Sequence, residues 1–556
     1  MRSYGLQLLA SVTLLGLATA QQNDSLPIVD LGYELHQAAY YNESGRFYNF
    51  SNIRYAAPPL GNLRFAAPQP PAVNRSEVQT GSVGRICPQA AGAWSLIAAQ
   101  FVENYLLGRP FNGTTPSSNS SGSTRIPPQD PRTSEDCLFL DVVVPEEVFG
   151  NAGHGFGAPV LVWIYGGGYT GGSKSGSGNP AGLLARGENS TAEGVIYVSM
   201  NYRLGAFGWL SGPTLQSNGT ANAGLHDQRL ALEWIQDNIH LFGGDPNRVT
   251  VFGESAGGGS IMHQITAYGG KNGSVPFQQA IPQSPGWAPQ TSNYQQEQQL
   301  NAFLALLNVS TIQEARELPS EALITANLIQ VGRSPYGTFT YGPTVDGDFV
   351  PALPGVSLLH GNFDRRVRVM VGHNANEGLL FTSPFVTNDT AYEAYIRRNL
   401  PSATTDVVNY ITNTLYPPVF DGSEGYTDQI GRTSKTLSEQ VFTCNSNYLG
   451  RAYGNETYAY FFAVPPALHG QDIAYTYYNG PSRSVVNQTV ALVLQEFITS
   501  FAATGRPSAE GVEGVPMFDL YGPEASIINL NVTGITDGID RTANERCLWW
   551  QKALYF

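Results

Sequence analysis

The sequence predicts an α/β fold, a large and mostly parallel central sheet flanked by helices. Near-continuous apolar runs recur along the chain: "APVLVWIYGGG" (158–168), "GVIYVSMNYR" (194–203), "RVTVFG" (248–253), "RVRVMVGHN" (366–374) and "TYAYFFAV" (457–464). Runs of this kind belong to strands covered on both faces. Between the second and third, "GLHDQRLALEWIQDNIHLFGG" puts Leu225, Leu232, Ile235 and Ile239 on one helical face before Gly243 and Gly244 stop the helix. Strand, helix, strand in that order is a right-handed crossover unit. With 556 residues, 42% hydrophobic and only 13% charged, the chain has ample apolar material for a large core.

In such sheets ligands meet the loops at the carboxyl ends of strands, and one of those loops is unusual. Directly after "RVTVF" comes "GESAGGGS", with Ser255 set among Gly253, Gly257, Gly258 and Gly259. Glycines there permit a sharp strand-to-helix turn that side chains would block, and the G-x-S-x-G spacing is that of a nucleophile elbow. The elbow lifts a serine hydroxyl above the sheet edge and aims the next helix's amides at any negative charge formed beside it. A chance Gly-Ser loop would show the same five residues, but not between a strand and a helical pattern.

A serine of ordinary acidity needs a base, and the base an orienting acid, in the chain order serine, acid, histidine for this elbow. Four histidines lie downstream of Ser255: His263, His360, His373 and His469. His469, in "FFAVPPALHGQD" just beyond an apolar strand, is placed to reach the hydroxyl. His263 lies two turns into the helix behind the serine and is expected to point away, and His373 precedes the acid too closely in sequence. For the acid, Glu377 in "MVGHNANEGLLF" follows a strand end, whereas Asp346 and Asp348 in "YGPTVDGDFVP" have weaker strand flanks. A carboxylate at a helix start, favoured by the helix dipole, describes Glu377 equally well. For the oxyanion, "WIYGGGYTGGS" offers Gly166, Gly167 and Gly168, whose backbone can approach a carbonyl oxygen closely alongside the Ala256 amide. A flexible Gly-rich loop fits the same residues; a phosphate cradle fits them poorly, because G-K-[ST] is missing and the chain is acidic. Glu254, next to the serine, is either a charge behind the site or an elbow-packing residue.

The remaining features concern partners and compartment. A net charge of −14 opposes nucleic-acid binding, which needs a positive field. Residues 1–20 read as a signal peptide: Arg2, then "LQLLASVTLLGLA", then "ATA", so the mature chain is expected to begin at Gln21. No later stretch is apolar enough to predict stable membrane insertion. Export is expected to leave a secreted glycoprotein, since fourteen Asn-x-Ser/Thr sequons occur, including Asn42, Asn49, Asn74, Asn112, Asn218, Asn308, Asn455 and Asn531. Four cysteines, Cys87, Cys137, Cys444 and Cys547, lack metal-type spacing and predict two disulfides with three possible pairings. The Ser/Gly/Pro-rich segment 112–132 reads as an exposed loop, a plausible cover for a binding site.

Taken together, "NIRYAAPPLGNLRFAAPQP", "SEDCLFLDVVVP", "VLVWIYGGGYTGGS", "NYRLGAFGWL", "NAGLHDQRLALEWIQDNIHLFGGDPNRVTVFGESAGG" and "ALHGQDIAY" resemble the type-B carboxylesterase/lipase family, which includes the cholinesterases, and span nearly the whole mature chain. The resemblance implies a single α/β-hydrolase domain over residues 21–556, with Ser255, Glu377 and His469 as the catalytic set, and Gly167, Gly168 and Ala256 as oxyanion donors. It implies the pairs Cys87–Cys137, whose loop is a lid in lipase members, and Cys444–Cys547. It implies no metal and no cofactor, and as substrate a small-molecule or lipid ester. The family's second disulfide has no counterpart, and Trp94 alone does not make an aromatic choline site, which speaks against a cholinesterase. By family position Phe339 lines the acyl side of the pocket, and an ordinary core phenylalanine describes it equally well. The readings carried forward are a carboxylesterase, a triacylglycerol lipase or sterol esterase, and a non-catalytic binding protein on an esterase fold; the intact Ser, Glu and His disfavour the last.

Overall fold

A computed structural model describes residues 26–113, 129–155, 157–190, 194–271, 273–290, 292–454, 456–510 and 512–555. The expected signal peptide, most of the Ser-rich segment of 112–132 and the sequon at Asn455 lie outside the described residues.

Fourteen strands occur in chain order: β1 (Ile28–Asp30), β2 (Leu35–Gln37), β3 (Tyr40–Asn42), β4 (Phe47–Arg54), β5 (Val78–Gln79), β6 (Phe139–Pro145), β7 (Ala158–Ile164), β8 (Ile196–Met200), β9 (Gly244–Glu254), β10 (Gln279–Gln283), β11 (Arg368–Asn374), β12 (Thr457–Phe462), β13 (Ser526–Asn531) and β14 (Gly534–Ile539). Eleven of them form one sheet in the order β14-β13-β12-β11-β10-β9-β7-β8-β6-β4-β3, and β1, β2 and β5 form a small second sheet. From β8 across to β13 every neighbouring pair is parallel. The edges are antiparallel, through β13–β14 on one side and β8–β6–β4–β3 on the other.

The apolar runs become central strands because both their faces are covered. Every residue of β7 and β8 is buried. The helices Ala256–Thr266 and Gln488–Thr504 both pack on β7 and β9, and Trp163 of β7 meets Phe252 edge-on at 4.8 Å and Tyr477 at 5.2 Å. The predicted amphipathic helix spans Ala223–Asn238. Its Leu225, Leu232 and Ile235 are fully buried, as is Ile239 in the following short turn, and Gly243 ends that turn at φ +87°.

Cys87 is bonded to Cys137, and Cys444 to Cys547, with sequence separations of 50 and 103. Closures of that length restrict the unfolded chain by roughly 4 to 5 kcal/mol each in the loop-entropy account. Inside the first loop lies a helix, Ser95–Leu106, that buries Ala98, Phe101 and Val102 and leaves Leu96 83% exposed. No helix among the described residues is long and apolar enough to cross a membrane.

Candidate active site

The turn after β9 holds Ser255 at φ +59°, ψ −123°, a backbone setting that a side-chain-bearing residue adopts only under constraint. The constraint is visible in its contacts. The Ser255 amide donates to the Gln283 carbonyl at 3.0 Å, and the Ser255 carbonyl accepts from Gly259 and Gly286 at 2.8 and 2.9 Å. The helix Ala256–Thr266 starts at once and crosses so near β7 that a Cβ on Gly257 would lie 1.9 Å from the Ile164 carbonyl oxygen, and one on Gly253 2.3 Å from the same atom. Since these obstacles are backbone atoms of a central strand, they cannot swing away. Gly257→Ala is therefore expected to remove activity and to destabilise the fold by about 1–3 kcal/mol or more, read from hydrolysis rate and urea midpoint together; a Gly257→Ala protein with wild-type rate would mean that the elbow can relax.

Two distant loops meet above the serine. One follows β11 and carries Glu377; the other follows β12 and carries His469. They are stitched by the Asn376 amide donating to Ala467 O at 2.8 Å, by Asn374 Nδ2 donating to Leu468 O at 2.9 Å, and by Asn376 Nδ2 donating to Pro466 O at 2.6 Å. The result is a continuous chain: His469 Nε2 lies 2.7 Å from Ser255 Oγ, and His469 Nδ1 lies 2.5 Å from Glu377 Oε2. Glu377 Oε1 accepts the Asn374 amide at 2.6 Å, which fixes the carboxylate's rotation. Aromatic walls hold the imidazole, with Phe442 at 4.2 Å and Phe381 at 5.2 Å between ring centroids. The serine is 9% exposed and the Glu377 side chain fully buried.

The other readings of the sequence separate here. His373 lies inside β11, 4% exposed, its ring beside Phe461, and β11 pairs with β12 as far as Asn374–Phe462. His263 bonds its own helix through Gly259 O at 2.7 Å and faces Trp287, and His360 is exposed. Asp346 accepts from Asn222 and from the Asp348 and Val350 amides, so it ties a turn.

Gly166 presses on the elbow: a Cβ there would sit 2.5 Å from Glu254 O and 2.8 Å from Ser255 Cβ. Gly167 and Gly168 have φ of +106° and +62°, and the turn is closed by Gly171 N donating to Gly167 O at 3.0 Å and Gly172 N to Gln89 Oε1 at 3.0 Å. The amides of Gly167 and Gly168 donate to no other group among the described residues. Gly168, Ser255 and Ala256 line one cavity of about 300 Å³ together with Trp287, Phe339, Phe381 and Phe442. Phe339 lies against Gly168, so close that a Cβ on that glycine would meet its ring at 2.1 Å. Trp94 stands one layer out, packed on Phe339 and Phe381 with its indole N–H donating to Thr338 O at 3.0 Å.

Sequence reasoning left Glu254 undecided and missed Asp472. Glu254 is buried with Oε1 3.2 Å from His469 Nε2, an ionic contact too oblique to count as a hydrogen bond. Burial pushes its carboxyl up to about 8, against the pull of His469. Asp472, fully buried three residues past the histidine, accepts from Asn374 Nδ2 at 3.1 Å, and burial with the neighbouring Glu377 charge pushes it up to about 6. Burial alone would also raise Glu377, but the imidazolium charge and the hydrogen bonds from His469 and the Asn374 amide hold it below its ordinary value. Burial would lower His469; Glu254 and Glu377 outweigh it and raise the imidazole to about 9.

A parallel sheet with a serine elbow at a strand end and an acid and a histidine on later strand-end loops is an α/β-hydrolase. The chain belongs to the carboxylesterase family, whose sequence model matches residues 36–543, and it is a carboxylic ester hydrolase. It is 45% identical over 542 residues to carboxylesterase patB of Penicillium expansum, covering 95% of this chain and 96% of that one. It is 32% identical over 449 residues to a secreted lipase of Arthroderma benhamiae, covering 77% and 84% of the two chains. Among solved structures, Aspergillus niger EstA superposes with a TM-score of 0.78 at 25% identity, covering 95% of this chain and 98% of that one.

Proposed function

We propose that the chain is an exported serine carboxylesterase that hydrolyses compact esters by two-step acyl transfer. The observation that carries this reading is the unbroken line of hydrogen bonds from Glu377 through His469 to Ser255, at 2.5 and 2.7 Å, opening on the cavity beside Gly168 and Ala256. Glu377 keeps the Nδ1–H of His469 turned toward itself, leaving Nε2 free to take the Ser255 proton as Oγ attacks the ester carbonyl. The oxyanion settles against the amides of Gly167, Gly168 and Ala256, in a site where water is largely excluded and each donor is worth on the order of 100- to 1000-fold in rate. Imidazolium Nε2–H then protonates the leaving alcohol. Water enters, loses its proton to His469, and releases the acid from Ser255 by the same route.

Cavity size supports compact esters over long acyl chains. About 300 Å³ is at the lower end of ligand pockets. A panel of esters from two to eighteen acyl carbons is expected to give the highest kcat/KM at the short end, with no jump when the ester forms an emulsion. Oleate hydrolysis that rises on emulsification would instead assign a lipase with the Cys87–Cys137 loop as its lid.

The carboxylate cluster sets the pH response. An imidazolium cannot accept the serine proton, so kcat/KM is expected to fall as pH drops through the raised His469 value, above the ordinary imidazole value near 6.5. Above its own raised value of about 8, Glu254 is ionised and adds a negative charge beside the imidazolium; Glu254→Gln removes that charge, which weakens the cation and moves the acid limb to lower pH. A limb already at or below 6.5, unmoved in Glu254→Gln, would show that Glu254 does not act on the base.

Export is supported by the leader-like residues 1–20, by two disulfides and by sequon positions at the surface: Asn74, Asn112, Asn218 and Asn308 are exposed. Protein recovered from culture medium is expected to begin at Gln21 and to gain mobility after endoglycosidase treatment; a retained Met1 would contradict export through a cleaved leader.

A further inference from the structure

We infer that Arg398 makes the cavity select esters carrying a carboxylate at the end remote from the scissile bond, an inference that rests on the ester-hydrolase reading of the same cavity. Among the described residues lining it, Arg398 alone is charged, in a chain whose net charge is −14. The cavity is graded. At its reacting end stand the rings of Phe381 and Phe442 against His469 and of Phe339 against Gly168. Arg398, by contrast, is exposed and lines the cavity from the last turn of the helix Asp389–Asn399, and the half-buried residues Gln299 and Gln440 also line it.

Among the described residues no carboxylate pairs with the charge of Arg398. Arg397, next in the chain, bonds Glu393 one turn back at 2.9 Å, whereas Arg398 has no ion-pair partner among the described residues and instead lies over the Tyr395 ring at 5.8 Å. A cation held over an aromatic face keeps its full charge and its fork of donors while losing mobility, which is what bidentate capture of a carboxylate needs. A long apolar tail in the same place would strip water from the guanidinium with nothing in return. A cation in a last helical turn also complements the helix dipole, and a lysine would do that equally well without the planar fork.

The test is a pH-stat assay of the full chain on two matched pairs of esters. Monoethyl adipate against ethyl hexanoate puts the carboxylate on the acyl side; 5-acetoxypentanoate against pentyl acetate puts it on the alcohol side. Arg398→Gln is expected to lower the charged-to-neutral ratio of kcat/KM by about two- to fivefold in one pair, mainly through KM, with Arg398→Lys recovering part of it and added salt eroding the wild-type preference. A ratio unchanged by Arg398→Gln in both pairs overturns the inference while leaving the esterase intact. Failure of the wild-type protein to hydrolyse either neutral ester sinks the parent reading itself.

Discussion

Replacing Ser255 by alanine is expected to lower kcat by on the order of 10⁵-fold or more, with the fold unchanged by circular dichroism and urea midpoint. The nucleophile and its base act as one unit, so His469→Ala should cost about as much, and the double variant little more than either. Additive losses would mean that the 2.7 Å contact between Nε2 and Oγ is not the route of the proton. The stability half of the prediction has its own reason. The Ser255 hydroxyl makes no bond that holds the elbow; the elbow is held by the amide and carbonyl of residue 255 and by the glycines packed on Ile164, all of which alanine keeps.

Glu377→Gln is the second large effect, a fall in kcat on the order of 10⁴-fold with KM little changed. Glutamine fills the same volume and can still accept the Asn374 amide, so the loops after β11 and β12 should stay joined. What changes is the proton on His469. A carboxylate accepts from Nδ1–H; an amide nitrogen in that place donates, which turns the ring to the tautomer whose Nε2 carries hydrogen and cannot receive one from serine. Asp346→Asn is the matched control: it loosens the turn around Asn222 and Val350 but leaves the serine's proton path alone, so turnover should persist. The opposite ranking would move the acid to residue 346.

The central strands were legible because burial on both faces demands uninterrupted apolar runs, and β7, β8, β9, β11 and β12 have them. β10 was not, although it lies between β9 and β11. Its five residues, "QAIPQ", include a proline and two glutamines. They are tolerated because Gln279 bonds Thr250 and the Phe501 carbonyl, while Gln283 bonds Tyr460 and Thr476, partners that no local pattern announces.

At the site, Ser255 could be read from its glycines, since their absence of side chains is a local steric demand. Glu377 could be preferred but not separated from a dipole-favoured carboxylate until its distance to His469 was known. Phe381, Phe442, Asp472 and Arg398 carry no local signature at all. Each reaches the cavity or its carboxylate cluster through a different segment, and only the packing of those segments gives it a role.

The most direct measurement is covalent labelling of the folded full-length protein with an organophosphonate ester, followed by peptide mapping. One adduct per chain on Ser255, absent in His469→Ala and absent after unfolding in urea, is the predicted result. Labelling at another residue, or none in folded protein that still hydrolyses esters, would contradict an acyl-enzyme on Ser255.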